Sequence, residues 1–525
     1  MHSLLSDRLI RVQLVRGGAD KLSLPEIYEA LSADQVDAFV GLRPHQRHAW
    51  HAFLAQLAVI ALHRNARHEP YSSAQKWCEA LREITKEFDG DEPWELVVED
   101  PTRPAFMQSP SLNGLEDYTK DVYSPDDLDI LVTAKNHELK QNTAFHHSLD
   151  DWVYALVSLQ TMAPFSGKGN YGVARMNGGF SSRPCLGLGP RNGGFGAYLF
   201  HDVSNMISGR GQVLKDYRGY YQEKGGESLL WTEPWDGSSS LTLGELDPYF
   251  IEVCRRVRLH RRGESIMAKR ANSSKPRIAA KEAKGNLGDH WTPVDTKEGR
   301  ALSLSKTRLQ YERLTELLVG SKFRLPRAMK VKINNQGPWK VVIRGLAGGQ
   351  GKTEGYHERV DLAFSDKTAR AFVFSSSQDE LASLVKKQLD EISGVANALK
   401  RGIAVVASGK SEVEKQDWER AEPYMRMFHE EIDSIFFLFL DKRFVADTGE
   451  DSKKIRLNFG KNLVRIAREV FNSAIHRTLC PSSSRYRAQA LAEMIFHGQL
   501  KNSVFSDQPE VFSSENNLMQ VSQLP

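Results

Sequence analysis

The chain has 525 residues, 40% of them hydrophobic and 26% charged, with a formal net charge of +4. This composition excludes a wholly disordered chain and leaves room for two or three folded cores. No uninterrupted apolar run is longer than Ile435 to Leu440, far short of the roughly 20 residues a bilayer span needs, so no membrane segment is expected.

Cys78, Cys185, Cys254 and Cys480 stand far apart without a Cys-x-x-Cys pair, so neither a disulfide framework nor a zinc knuckle is expected. No basic and apolar leader opens the sequence, which fits a cytoplasmic protein.

In chain order, Leu9 to Val15 reads as a strand, and Leu54, Leu57, Ala58 and Ala61 are spaced for one buried helix face. Glu116, Asp117, Asp121, Asp126, Asp127 and Asp129 form an acidic stretch. Asp150 and Asp151 read as helix-start residues. From Ala163 to Gly196 ten of 34 positions are glycine, which argues for loops and bent strands rather than helix.

Between Cys254 and Lys284 stand Arg255, Arg256, Arg258, Arg261, Arg262, Lys269, Arg270, Lys275, Arg277, Lys281 and Lys284, against only Glu264 and Glu282. Such segregation is the footprint of a polyanion partner, a solvated basic loop being the bland alternative.

Strand-like segments return at Val331 to Ile343 and at Val360 to Phe374. Between them, Gly345-Leu346-Ala347-Gly348-Gly349-Gln350-Gly351-Lys352-Thr353 nearly spells a phosphate-cradling loop. The first glycine of that pattern belongs at position 346, which is Leu346, and residues 354–359 carry no apolar helical period. The segment is therefore expected to be an exposed hairpin turn with Gln350 at its tip. Ile435 to Asp441 looks like the strand and aspartate that would serve such a loop, yet it completes a helical stripe begun at Met425.

Leu381, Leu384, Val385, Leu389, Ile392, Val395 and Leu399 make a first stripe at helical spacing. Met425, Phe428, Ile432, Ile435, Phe436 and Phe439 make a second, and Pro423 is expected to kink or start that helix. Leu463, Ile466, Ala467, Val470, Phe471 and Ala474 make a third, and Tyr486, Ala490, Leu491, Met494 and Ile495 a fourth.

The fold class is thus α+β: a large mixed domain over 1–375, a four-helix bundle over 376–502, and a disordered Ser/Gln/Asn-rich tail over 503–525. His137, His146 and His147 have no thiolate or carboxylate at ligand spacing, and no nucleophile or zinc-protease motif occurs, so no metal, cofactor or catalytic residue is expected.

Several segments together resemble the CasA family, the large subunit of the type I-E CRISPR surveillance complex Cascade. They are Leu4-Leu5-x-Asp7-x-Leu9-Ile10-x-Val12, Leu24-Pro25-Glu26-Ile27, Phe106-Met107-Gln108, Glu233-Pro234-Trp235, Leu246-Asp247-Pro248-Tyr249-Phe250 and Trp291-Thr292-Pro293. Each is weak alone; their order and spacing along nearly the whole chain carry the likeness.

The resemblance implies a non-enzymatic sensor of the protospacer-adjacent motif. In that family a glutamine wedge, a glycine loop and a lysine finger meet the DNA beside the target. Gln350 falls on the wedge with Gly349 and Gly348 beside it; Gly167, Lys168, Gly169 and Asn170 fall on the glycine loop; and Lys281, then Lys284, on the finger. Lys135, Asn136 and His137 fall where the family contacts the guide RNA's 5′ handle, and Lys461, Arg465 and Arg468 are basic bundle residues that either track a strand or face solvent. Lys168 interrupts a loop that can be all glycine, and the Cys-x-x-Cys cluster of some relatives is missing.

The implied partners are crRNA, the other Cascade subunits, double-stranded target DNA and the system's helicase-nuclease. The competing readings are a P-loop-like ATPase acting on nucleic acid and a purely architectural subunit.

Overall fold

The structure is a computed structural model, and it describes residues 2–131, 147–331, 337–349, 352–372, 375–446, 448–478, 484–502, 505 and 507–512. The chain divides into two compact units: Met1–Arg308 with Ser321–Leu362, and Leu309–Gly320 with the described residues from Ala363 onward. The fold is α+β, and no helix among the described residues is long and apolar enough to cross a membrane.

The first unit opens with strands β1 (Ile10–Leu14) and β2 (Ala19–Leu22), helix α1 (Leu24–Ser32) and strand β3 (Val36–Phe39), in a sheet of order β2-β1-β3. Ser23 and Glu26 form a capping box at the start of α1, with Ser23 N–H donating to the Glu26 carboxylate at 2.8 Å.

Helix α2 (Arg47–Arg64) is buried on all sides from His48 to Leu62, so the single apolar face expected from Leu54, Leu57, Ala58 and Ala61 is a fraction of what it covers. Its alanines and leucines suit a central helix that other elements enclose. Against it pack α3 (Ala74–Ile84), α5 (Leu149–Met162) and α6 (Phe195–Asp216), with the short α4 (Pro125–Leu128) packed on α5. Asp150 is fully buried and takes the Arg11 guanidinium at 2.9 Å, so it ties α5 to β1 besides opening the helix.

Strands β4 (Lys120–Val122), β5 (Cys185–Pro190), β6 (Glu227–Leu229), β7 (Leu246–Ile251), β8 (Arg256–Arg262), β9 (Ser265–Ala271), β10 (Val294–Asp295), β11 (Phe323–Arg324), β12 (Trp339–Gly349) and β13 (Lys352–Phe364) complete the unit. They form sheets β4-β9-β8, β6-β7, β10-β11 and β13-β12-β5. In the last, β12 runs antiparallel to β5 from Trp339 opposite Pro190 to Arg344 opposite Cys185, which lays the glycine-rich segment directly beside the hairpin. The strand expected over Val360 to Phe374 stops at Phe364, and Ser365 caps a short helix in its place.

The second unit holds α7 (Tyr311–Leu318), α8 (Asp366–Ala371) and four long helices: α9 (Ser375–Ser408), α10 (Lys415–Val445), α11 (Gly449–Arg477) and α12 (Arg485–Lys501). Helix α9 touches the other three long helices. Its stripe runs Leu381, Val385, Gln388, Ile392, Val395, Leu399, with Gln388 buried and donating to the Phe436 carbonyl at 2.8 Å.

Pro423 does not start α10; the helix begins at Lys415, where Glu414 and Asp417 form a capping box. Asp441, the residue of the spurious nucleotide strand, lies on α10 and accepts from the Ser365 backbone N–H at 3.0 Å and hydroxyl at 2.7 Å. The fourth stripe is out of phase: α12 buries Ala488, Ala492, Phe496 and Leu500, while Tyr486 is 87% exposed and Met494 66% exposed. Within the segment read as tail, Phe505 and Val511 are buried.

Candidate nucleic-acid interface

Pro164 to Asn170 close on themselves as a tight loop. Ser166 N–H donates to the Asn170 carbonyl at 2.9 Å and Asn170 N–H to the Gly167 carbonyl at 3.0 Å. Gly167 and Gly169 sit at φ of 98° and 85°, the left-handed region that side chains rarely adopt. The Gly169 carbonyl accepts from Ser273 N–H at 3.1 Å, and Arg255 donates to the Pro164 carbonyl at 2.7 Å, so the basic segment anchors the loop from below. Lys168 is exposed at its tip.

The hairpin is fastened to the same glycine-rich segment. Leu346 N–H donates to the Ser182 hydroxyl at 2.8 Å, and Ser182 N–H returns a bond to the Leu346 carbonyl at 2.9 Å. These bonds use the backbone as a sheet edge rather than as an anion nest, in keeping with the missing glycine at 346. Strand β12 ends at Gly349 and β13 starts at Lys352; Gln350 and Gly351 lie outside the described residues. Arg344 on β12 meets Glu358 on β13 at 2.7 Å, holding the two arms together.

Loop and hairpin face each other across a cleft of 530 Å³. Ser166 and Gly167 line it from the loop, Gly348, Gly349, Lys352 and Thr353 from the hairpin, and Ile130, Phe165 and Phe180 supply apolar walls. Behind it, His48 is buried with its ring 3.5 Å from the Ser182 hydroxyl; burial, then the positive charges of Arg344, His45 and Arg183, lower its pKa to about 3.

Sequence reasoning passed over Phe180, which is 43% exposed at the cleft wall. An aromatic inside a Gly/Ser/Asn run was the available signal. Lys352 was weighed only as a nucleotide-loop lysine, and it stands instead at the cleft wall with Glu354 at 3.8 Å.

Lys281 and Lys284 are both exposed: Lys281 opens a short 3-10 helix (Lys281–Ala283), and Lys284 ends it at φ 48°. The Lys284 carbonyl accepts from Ala301 N–H at 3.0 Å, and the Ala301 carbonyl accepts from the Asn177 side chain at 2.9 Å. That chain of bonds roots the lysines in the glycine-rich segment too.

The basic run from Arg255 to Lys284, read as the footprint of a polyanion partner, is only partly at the surface. Arg255, Arg256, Arg258 and Arg277 are buried and serve the fold. Arg258 donates to the carbonyls of Arg103, Val98 and Asp100 at 2.9, 3.1 and 2.8 Å, and Arg277 to those of Pro234, Leu230 and Glu233, each at 3.1 Å. Burial pulls the pKa of both down to about 10. The exposed cations of the run are Arg261, Arg262, Lys275, Lys281 and Lys284.

Lys135, Asn136 and His137 lie outside the described residues. On α11, Arg465 pairs with Glu469 at 2.9 Å and Arg468 donates to the Phe512 carbonyl at 3.3 Å, while Lys461 is half-buried. Among the described residues, no group of three His, Cys, Asp or Glu could hold a metal ion.

The family model for CRISPR-associated protein Cse1 matches residues 3–470. No curated protein matches the sequence. The fold is similar to Cse1 from Acidimicrobium ferrooxidans (TM-score 0.67, 14% identity, covering 96% of this chain and 98% of that one). It is similar to Thermus thermophilus CasA (0.62, 14%, 95% and 99%) and to Thermobifida fusca Cse1 (0.67, 14%, 95% and 97%). The chain therefore belongs to the CRISPR-associated Cse1 (CasA) family of type I-E Cascade subunits, whose partners are the other components of that complex.

Proposed function

We propose that this chain is the non-catalytic subunit that reads the protospacer-adjacent motif for a crRNA-guided complex. In this reading it weakens the adjoining duplex to start R-loop formation and helps recruit the helicase-nuclease. The observation that supports this most is the meeting of the glycine loop and the hairpin at one cleft, with Lys281 and Lys284 rooted in the same segment.

Minor-groove edges distinguish little beyond A·T from G·C, and the groove is only about 6 Å wide, so glycine backbone and single lysines suit it better than bulky side chains. Gln350 enters between base pairs beside the motif. Opening them costs a few kcal/mol, offset by contacts to the distorted duplex and by guide pairing of similar stability. Lys135, Asn136 and His137 take the guide's handle, and Lys461, Arg465 and Arg468 follow a separated strand. The hairpin's sheet bonding favours this wedge over nucleotide hydrolysis.

The test is the affinity of the assembled complex carrying Gln350→Ala for two targets, one fully paired and one already unpaired beside the motif. The loss is expected on the paired target, about tenfold or more, since only there is opening required. Equal losses on both would contradict the wedge.

A further inference from the structure

The first unit contains a second cavity, of 450 Å³, that shares no lining residue with the cleft. It opens where α2 ends and α6 passes, with Val59 and Ile207 in its wall. Its remaining lining is dominated by cations, and its one acid, Asp247, is already held by the Arg210 fork at 3.0 and 2.7 Å.

Arg64 spends one bond on the Gly226 carbonyl at 3.3 Å. Arg67 spends one on the Glu69 carbonyl at 3.4 Å while lying 4.4 Å over the Tyr71 ring. Among the described residues, neither arginine nor Lys224 forms an ion pair with a carboxylate. The cations are not needed to cap α2, because its last carbonyls, Ala61, Leu62 and His63, accept from Asn65, Arg67 and Ala66 backbone N–H groups. The local field is positive: burial first, then Arg210, Arg64 and His68, lower the His63 pKa against the opposing Asp247.

Tethered guanidinium forks with spare donors match phosphate oxygens, and an apolar wall beside them matches a sugar or base. We infer that this pocket takes the phosphate of a nucleotide, with Arg64 and Arg67 donating to its oxygens, Lys224 closing the open side, and Val59 and Ile207 against the sugar or base. A free mononucleotide and a phosphate of single-stranded DNA offer the same chemistry. The inference stands apart from motif reading, since Lys281 and Gln350 play no part in it.

The test uses the full chain titrated with AMP by calorimetry and with a fluorescein-labelled oligothymidylate by anisotropy at several salt concentrations. Arg64→Gln with Arg67→Gln is expected to weaken the binding probe about tenfold and to lower the salt slope for the oligonucleotide by about 2. A loss on AMP identifies a free-nucleotide site; a loss on the oligonucleotide alone identifies a strand contact. Lys281→Ala is expected to leave AMP binding unchanged. If melting shows the double variant unfolded, Lys224→Gln carries the test with a loss of about threefold. Equal binding by wild type and the folded variants, or binding of neither probe by wild type, overturns the inference.

Discussion

Phe180 and Gly348 touch so closely that a β-carbon on Gly348 would lie 2.0 Å from the Phe180 carbonyl oxygen. The contact is with backbone, so the neighbour cannot swing aside. It sets the hairpin arm against the glycine-rich segment at the wall of the cleft.

Gly348→Ala is accordingly expected to destabilise the first unit by about 1–3 kcal/mol, the cost of overpacking. It should also reduce opening of paired targets. Gly355→Ala on β13 has nothing within 4 Å of the added atom and serves as the control. Denaturant melts of both variants check the difference.

The basic run separates into structural and exposed cations. Arg258→Leu leaves the carbonyls of Val98 and Arg103 without a donor, while that of Asp100 keeps the Arg103 N–H at 3.2 Å, and is expected to cost about 1–3 kcal/mol for each unsatisfied group that stays dry. Arg262→Gln, at an exposed position, should stay within about 0.5 kcal/mol. Thermal unfolding of the two variants measures the contrast, and motif-bearing DNA titrated against Lys281→Ala and Lys284→Ala measures the exposed set.

How much the sequence disclosed follows the same division between pattern and burial. The hairpin was legible because one displaced glycine ruled out a phosphate loop while Lys340 to Ile343 read as a strand. The stripes of α9 to α11 were legible because one apolar phase dominates each. In α12 two phases compete, and in the set with more apolar residues Tyr486, Ala490 and Met494 are exposed and Leu491 and Ile495 half-buried, while Ala488, Ala492, Phe496 and Leu500 are buried. Arg258 and Arg277 read as surface charge because carbonyl partners, unlike carboxylates, leave no mark in a sequence. Nor could the burial of α2 on all sides be read from the spacing of four residues.

For α12 the consequence is testable. Phe496 stacks on Phe471 with ring centroids 4.3 Å apart, so Phe496→Ala should cost about 3–5 kcal/mol, whereas Met494→Ala should stay within about 0.5 kcal/mol. Chemical denaturation followed by helical signal reports both.

Acid should loosen the site through His48. Its folded pKa of about 3 lies below the unfolded value near 6.5, so below that value the unfolded chain binds a proton that the folded chain refuses. The contribution is fully present above pH 6.5 and is lost as pH falls toward 3, by at most about 1.4 kcal/mol per pH unit. Stability measured from pH 7 to pH 5 should fall less steeply in His48→Leu than in the wild type.

The most direct measurement places 2-aminopurine at the first base pair beside the motif of a paired target and follows its fluorescence on mixing with the assembled complex. The wild type is expected to raise the signal before guide pairing extends, and Gln350→Ala to slow that rise about tenfold, against a few kcal/mol of unstacking. An unchanged rise with Gln350→Ala would contradict the account of the hairpin as the element that parts the strands.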